Sequence, residues 1–492
     1  MQEALGDEDM KVTVAVLDKN GDSTVERVLD VLNSFDLWMP SHFALISPKK
    51  CVFEKNVEII KKQGLKSSTA AGYVTSKPKS TSDYEHLQLD DTALLFEGRV
   101  YSPVSEIAVT ERVAKDPLHC EATLQTLMEQ AEGDYSFLMV KNGWIGAGRD
   151  PIGVQPLYFG ENRDIAAFAT NKKALWKLGI ENPTSFPPGN LAFVNKEGFK
   201  FKPIKTLTYT EPKPIRIDEA AKQLQVLLEQ SVQRRVNGVK EVAVAFSGGL
   251  DSSVVAFLAG KCGVKVSLLH VSLENQPETE EAMKAAEELD LPLQVDLFKD
   301  SDVEAILPKV VDLIEEPDPI KASIGVPFYW VAQKAAEANF KVVLAGQGAD
   351  ELFGGYQRYV TEYCKDGGEA VRKTMFGDVV RIHESNLERD LKITGFHNVE
   401  LRVPFASFDL VEFALSLPVE LKIENKVDTL RKLVLRKMAR DAGLPVSIAD
   451  KPKKAVQYST GINDAIKRIA KNHEKTVGEY IDELFQQSKS NL

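Results

Sequence analysis

Ser247, Gly248, Gly249, Leu250, Asp251, Ser252 and Ser253 follow the apolar run EVAVAF and lead into the helix-compatible VVAFLAG. Three hydroxyls, two glycines that let the backbone pass close to an anion, and successive N–H groups at a helix start together make a phosphate-binding turn. It is not a Walker A loop, because the chain has no G-x-x-x-x-G-K-[ST] and no lysine follows these glycines. A serine-rich turn without a ligand is the alternative. A second string, GQGADELFGGY at 346–356, puts Asp350 just past the apolar run KVVLA. Asp251 and Asp350 each lie beyond the end of an expected strand, and hard carboxylate oxygens suit a Mg²⁺ ion carrying a polyphosphate. The competing reading makes each aspartate the N-cap of its helix.

Such residues converge only if the elements behind them are parallel. Residues 219–234 carry Ala220, Leu224, Leu227, Leu228 and Val232 at helical spacing. A strand EVAVAF, a helix, a strand VKVSLLHVS and a helix at 279–289 follow; later come a helix around 326–338, the strand KVVLAGQ and several helices. This β-α-β-α order implies a doubly wound parallel sheet, whose ligands sit beyond the C-terminal strand ends. Residues up to 205 instead alternate short runs such as VTVAVLD, ALLFEGRVY and YSFLMV with Gly, Pro, Asn and Asp turns, and show helical spacing near 25–33 and 122–132. That pattern predicts stacked antiparallel sheets. TLTYTEPKPIRID at 206–218 lacks periodicity and reads as a linker between domains 1–205 and 219–492.

At 492 residues the chain is too long for one core, and 43% hydrophobic with 27% charged residues is the make-up of an ordinary soluble protein. No apolar run reaches the roughly 18 residues of a membrane span. The acidic start MQEALGDEDMK lacks a signal-peptide core, so a cytoplasmic enzyme is expected. A net charge of −11 disfavours a general nucleic-acid surface, and KPKKA at 451–455 is too short to be one. The four cysteines, at 51, 120, 262 and 364, have neither metal-ligand spacing nor the density of a disulfide scaffold.

SGGLDSS resembles the PP-loop of the N-type ATP pyrophosphatases, which implies ATP as substrate with Mg²⁺. The match then widens to the glutamine-dependent asparagine synthetases. In the second half it is carried by SGGLDSS, GQGADELFGGY, NLERDLKITGFHNVELRVPF at 386–405 and KPKKAVQYSTG at 451–461; in the first half by GDYSFLMV, GAGRDPIGVQPLYFG, FATNKKAL and FPPGN. The resemblance implies an N-terminal-nucleophile-hydrolase-like αββα sandwich followed by a PP-loop ATP pyrophosphatase domain. Adenine is expected against backbone and apolar groups near Phe246, Val271, Ala345 and Gly346, which flank the strand ends. The family's C-terminal catalytic lysine falls on Lys453, with Lys454 as the alternate register, and a family arginine falls on Arg402, for which a salt bridge is an equal reading. A mobile cation such as Lys453 suits the charge that builds on the α-phosphate during adenylation.

Three departures bear on function. A glutaminase of this type needs a cysteine directly after the initiator methionine, its α-amino group acting as base; Lys11, after Met10, stands there instead, and Cys51 is the nearest thiol. The glutamine-binding Asn-Gly-Glu is altered to Glu97-Gly98-Arg99, whose guanidinium opposes the substrate's ammonium. Gln347 replaces a glutamate, and an amide cannot take a proton from ammonium. The leading expectation is an amide-forming ligase that adenylates a carboxylate, aspartate by resemblance, and uses ammonia not drawn from its own glutaminase. The N-terminal domain is then kept for packing, for pairing into a homodimer, or for binding something else. Alternatives are a β-lactam-synthetase-like enzyme with another acid or nucleophile, and a non-catalytic regulatory protein, which the intact SGGLDSS, Asp350 and Lys453 disfavour.

Overall fold

The computed structural model describes residues 12–35, 42–75, 86–89, 91–102, 120–426, 430–451 and 460–490. Contacts divide the chain into two compact units, one reaching Thr206 and the other running from Leu207 to Ser488.

The first unit is built on two antiparallel sheets. One has the order Thr184–Ser185, Tyr158–Glu161, Ile165–Ala169, Val12–Asp18, Thr69–Thr75, His42–Ile46, Cys51–Glu54; the other has Gly198–Pro203, Asn190–Asn195, Trp144–Arg149, Glu132–Lys141, Thr92–Ser102, His86–Leu89. The strand VTVAVLD is buried along its whole length because each of its faces meets a layer. Ala15 and Leu17 point between the sheets, where they join Leu95, Leu138, Val140 and Ile145 of the second sheet. Val12, Val14 and Val16 point the other way, against Val28, Leu29 and Leu32 of the helix Val25–Asn33. On the far side Leu94, Phe96, Phe137 and Met139 pack on Leu124, Leu127 and Met128 of the helix Cys120–Gln130. The layers are therefore α, β, β, α, as the resemblance implies.

Asp150, fully buried, fixes the turn after the strand Trp144–Arg149. Its Oδ1 accepts the backbone N–H groups of Ile152, Gly153 and Val154 at 3.0, 2.7 and 3.0 Å, and Oδ2 accepts that of Gln155 at 3.1 Å. Burial pushes this carboxyl up to about 7, with Arg149 and the N–H donors pulling the other way. Arg149, also buried, donates to the carbonyls of Phe186 and Gly153 at 2.8 and 2.7 Å. The RDPIGVQP segment thus holds a loop through its own side chains.

The second unit centres on five parallel strands in the order Leu293–Phe298, Lys265–Leu273, Glu241–Ala245, Val342–Leu344, Glu400–Arg402. The chain steps outward from Glu241–Ala245 to Lys265–Leu273 on one side and later to Val342–Leu344 on the other, so this central strand marks the reversal of winding where a crevice opens. The helix expected from 326 begins at Pro319. Asp318 caps it by accepting from the N–H groups of Ile320 and Lys321 at 2.8 and 3.0 Å, and Pro327 is accommodated inside. The helix Asp300–Ile314 and the strand Leu293–Phe298 were not marked by the sequence pattern. Residues 207–216 contain no helix or strand, and the next helix starts at Ile217. Among the described residues no helix is long and apolar enough to cross a membrane.

Asp150→Ala leaves several buried N–H groups without an acceptor, and such a loss is expected to cost roughly 3–5 kcal/mol. Urea unfolding of the full chain followed by near-ultraviolet dichroism measures this; a change within the noise contradicts the assigned role.

Candidate active site

The phosphate-binding turn leaves the sheet at the central strand. Phe246 stays in the ladder, its N–H donating to the Leu269 carbonyl at 2.9 Å, and Gly248 then adopts φ 66°. A Cβ on Gly248 would lie 2.7 Å from Ala282 Cα, so both its conformation and its neighbour exclude a side chain. Gly249 caps the helix Leu250–Lys261, the Ser247 and Ser252 hydroxyls lie 3.2 Å apart, and the buried Ser253 Oγ has no hydrogen-bond partner among the described residues. A buried hydroxyl without a partner beside a helix N-terminus fits a phosphate oxygen. His270 braces the turn: Nδ1 lies 3.0 Å from the Phe246 carbonyl and Nε2 3.2 Å from Thr279 Oγ1. A carbonyl only accepts, so Nδ1 carries a proton, and burial pushes the ring toward its neutral form.

Asp251 and Asp350 lie in the first turns of the helices Leu250–Lys261 and Ala349–Phe353, whose caps are Gly249 and Gly348. Neither aspartate is itself the cap. They are joined by Lys432, which sequence reasoning missed. Lys432 Nζ is 2.6 Å from both Asp251 oxygens and 2.6 Å from Asp350 Oδ1, and the side chain is 1% exposed. Its backbone is left-handed, φ 63°, and the adjacent Leu433 N–H donates to the Lys422 carbonyl at 2.9 Å. No local signal marks Lys432 within RKLVLRK; the signal is that two converging carboxylates require a counter-charge. Oxygens that surround an ammonium so closely form a donor set suited to a hard cation. Among the described residues no group of three or more metal-ligating side chains forms, so a metal here would draw further ligands from elsewhere.

The remaining expected site residues separate into two groups. Val271, Ala345 and Gly346 lie at the C-terminal ends of strands beside the turn; Ala345 N–H donates to the Arg402 carbonyl at 3.2 Å, and a Cβ on Gly346 would come within 2.9 Å of Asp251 Cβ. Gln347 Nε2 donates to Asp390 Oδ2 at 2.6 Å, and Asp390 is held by Arg389 through Nε at 2.7 Å and Nη2 at 3.0 Å. Arg402 pairs with Glu400 of its own strand, at 2.5 and 2.7 Å, and donates to the Arg235 carbonyl, so its salt bridge is neither helix-terminal nor between helices. Lys453 and Lys454 lie outside the described residues. Their flanks do not: Lys451 Nζ donates to the Gly248 carbonyl at 3.2 Å and pairs with Glu281 at 3.0 Å, while the Leu273 N–H donates to the Thr460 carbonyl at 3.1 Å.

In the first unit Glu97 accepts a hydrogen bond from Thr13 Oγ1, Gly98 takes φ 85°, and Arg99 stands opposite Asp134 in the ladder. Lys11 lies outside the described residues. Burial pushes the Cys51 thiol up to about 11, which leaves it inert as a thiolate nucleophile.

Lys432→Met keeps the stem and removes the charge, so two carboxylates face one another in a partly buried site. A loss of roughly 3 kcal/mol in unfolding free energy is expected in the presence of a chelator, and denaturant titration checks it; unchanged stability would show the ion cluster to be inconsequential.

The comparisons with known proteins agree with this geometry. The asparagine synthase family model matches residues 223–368 and 364–489. A Methanocaldococcus jannaschii homologue described as an asparagine synthetase (glutamine-hydrolyzing) is 33% identical over 407 residues, covering 73% of this chain and 75% of its own length. The asparagine synthetase (glutamine-hydrolyzing) of Asparagus officinalis is 28% identical over 371 residues, covering 71% of this chain and 61% of its own. Among solved structures, the glutamine phosphoribosylpyrophosphate amidotransferase of B. subtilis aligns with a TM-score of 0.31 at 13% identity, over 58% of this chain and 65% of that one, a likeness too low to carry an argument. With the family model spanning more than half its length, the chain belongs to the asparagine synthetase family and is an ATP-dependent carbon–nitrogen ligase of that type.

Proposed function

We propose that this ligase adenylates a small carboxylate, aspartate by analogy with its relatives, releases pyrophosphate, and passes the acyl group to ammonia. The convergence of Asp251 and Asp350 beyond the parallel strand ends, beside a phosphate-binding turn, is the observation that carries the reading. Residues 247–253 cradle the nucleotide phosphates, while Phe246, Val271, Ala345 and Gly346 border the base. Asp251 and Asp350 would hold a Mg²⁺ ion, which would screen the charge of the polyphosphate. Lys432 holds both carboxylates aimed at one point, and Arg402 secures the edge strand beside Ala345. Lys453 supplies the cation for charge building at the α-phosphate; the attachment of Lys451 and Thr460 to this same edge supports that reading. Domain limits of 1–205 and 219–492 around a linker at 206–218, a cytoplasmic location and a homodimer belong to the same proposal.

Nitrogen comes from ammonia because the first domain lacks the groups that hydrolyse glutamine. Both relatives cited above carry glutamine hydrolysis in their descriptions, whereas here Lys11, directly before the strand Val12–Asp18, stands where the resemblance calls for a cysteine, and Cys51 is held as a thiol. The β-lactam-synthetase-like alternative, with another acid or nucleophile, is favoured by Gln347, whose amide is turned to Asp390 where a carboxylate would be repelled.

Pyrophosphate release with ATP, Mg²⁺ and a panel of carboxylates, each with and without ammonium, separates the readings. Dependence on aspartate and ammonium supports the first, another acid supports the second, and silence across the panel would mean that the protein is not a working ligase. Lys453→Ala is expected to lower kcat by roughly 10²-fold with little change in nucleotide affinity, as steady-state kinetics and equilibrium ATP binding together measure; if Lys454→Ala takes that loss instead, the register moves by one residue. Glutamate release from glutamine is expected to stay at background even with ATP and aspartate present. Glutamine-driven turnover by the purified chain would overturn the ammonia assignment.

A further inference from the structure

A phosphate-binding turn works only if its N–H groups face the anion and its carbonyls face away, and one reversed peptide would set a carbonyl oxygen against the phosphate. Three carbonyls of this turn are held by donors. His270 Nδ1 donates to that of Phe246 at 3.0 Å, and the Ser253 N–H, at 3.1 Å, and Ser252 Oγ, at 3.3 Å, hold that of Gly249. The carbonyl of Gly248 falls between these in the chain and accepts from Lys451 Nζ at 3.2 Å. The peptide it belongs to is the one whose direction local sterics fix least, because it joins two glycines. Gly248 has φ 66°, and Gly249 has φ −89° and ψ 169°. Turning the peptide over changes ψ of the first and φ of the second, and without a Cβ neither residue resists the change.

C=O and N–H point in opposite directions across a trans peptide. A donor that draws the Gly248 carbonyl back therefore aims the Gly249 N–H the other way, where it reaches Ser247 Oγ at 3.3 Å, beside the Ser252 hydroxyl. Lys451 starts from a fixed point: its own N–H donates to the Ile448 carbonyl at 3.3 Å at the end of the short helix Val446–Ala449, and Arg436 holds the Ala449 carbonyl. Its ammonium is aimed from the far side by Glu281, at 3.0 Å, on the helix Pro277–Glu288, the same helix that brings Ala282 against Gly248. We propose that Lys451 is a positioning residue for ATP, whose ammonium, directed by Glu281, keeps the Gly248–Gly249 peptide turned with its carbonyl withdrawn and its N–H facing the polyphosphate. The assignment rests on the reading of residues 247–253 as the phosphate cradle.

Ligand-observed NMR titration of the full chain with ATP and Mg²⁺, and separately with adenosine, tests it. Lys451→Met keeps the apolar stem and is expected to weaken ATP binding roughly tenfold or more. Adenosine affinity is expected to stay within about twofold, because the peptide faces only the phosphates. Lys451→Arg can still donate to a carbonyl and pair with Glu281, so ATP binding is expected to return to within about threefold of wild type. Glu281→Gln leaves the ammonium without its guide and is expected to weaken ATP binding by a smaller factor than Lys451→Met. In turnover, Lys451→Met is expected to raise KM for ATP with little change in kcat. ATP binding unaltered in Lys451→Met, or ATP and adenosine lost alike, would overturn the assignment. Tighter ATP binding in Glu281→Gln would overturn it too, since a lysine freed from its partner would then be a phosphate ligand and not a brace. A wild-type chain that binds no ATP is a different failure, which removes the cradle reading itself and this inference with it.

Discussion

Two carboxylates cannot share an interior corner without a positive charge between them, and the active-site half of this protein is organised around supplying one. Asp251 follows the central strand, Asp350 follows its neighbour, and Lys432 arrives from a segment far along the chain to bind both. The cluster therefore ties three stretches together at the point where the winding of the sheet reverses. Lys432 accepts a left-handed backbone to do so, a cost of about 1 kcal/mol for a residue with a Cβ. Because the Leu433 N–H is anchored on the Lys422 carbonyl, the turn that carries the ammonium is held from behind as well.

The parts of this site that the sequence made legible are those whose information is local. A strand, a glycine turn and a helix start occupy one continuous string, so SGGLDSS announced its geometry. The parallel sheet followed from alternation of short apolar runs with helical spacing, and the placing of ligands beyond its C-terminal strand ends followed from the sheet; the strand order did not. Lys432 was not legible, since its role depends on tertiary neighbours far away in sequence and nothing around it differs from an ordinary basic helix. The same holds for Asp390, whose partner Gln347 was noticed as a departure while the carboxylate that turns its amide was not. The helix expected around 326–338 begins earlier, at Pro319, where Asp318 and Pro319 form a sound cap.

In the first unit, burial accounts for residues that a motif reading ties to function. Arg149 and Asp150 belong to the segment that carries the family resemblance, yet their polar atoms are spent on the backbone of their own turn and its neighbours. A sandwich held in this way retains its fold whatever happens to its nucleophile. Thr13 and Glu97, bonded to one another, join the strands Val12–Asp18 and Thr92–Ser102 of the two sheets.

Gly355 gives the ion cluster a further property. It does not need glycine for its φ; what it supplies is emptiness, because a Cβ there would strike the Asp350 carboxylate and lie 2.5 Å from Lys432 Cε. The two positions are consequently bound by epistasis. Alanine at 355 would press first on the Asp350 carboxylate and then on the end of the lysine stem, so this glycine makes room for both members of the ion pair. The paired glycines of ELFGGY thus record two separate constraints: Gly354, at φ 75°, permits a left-handed helix end, and Gly355 leaves a berth for a side chain that the string itself does not contain.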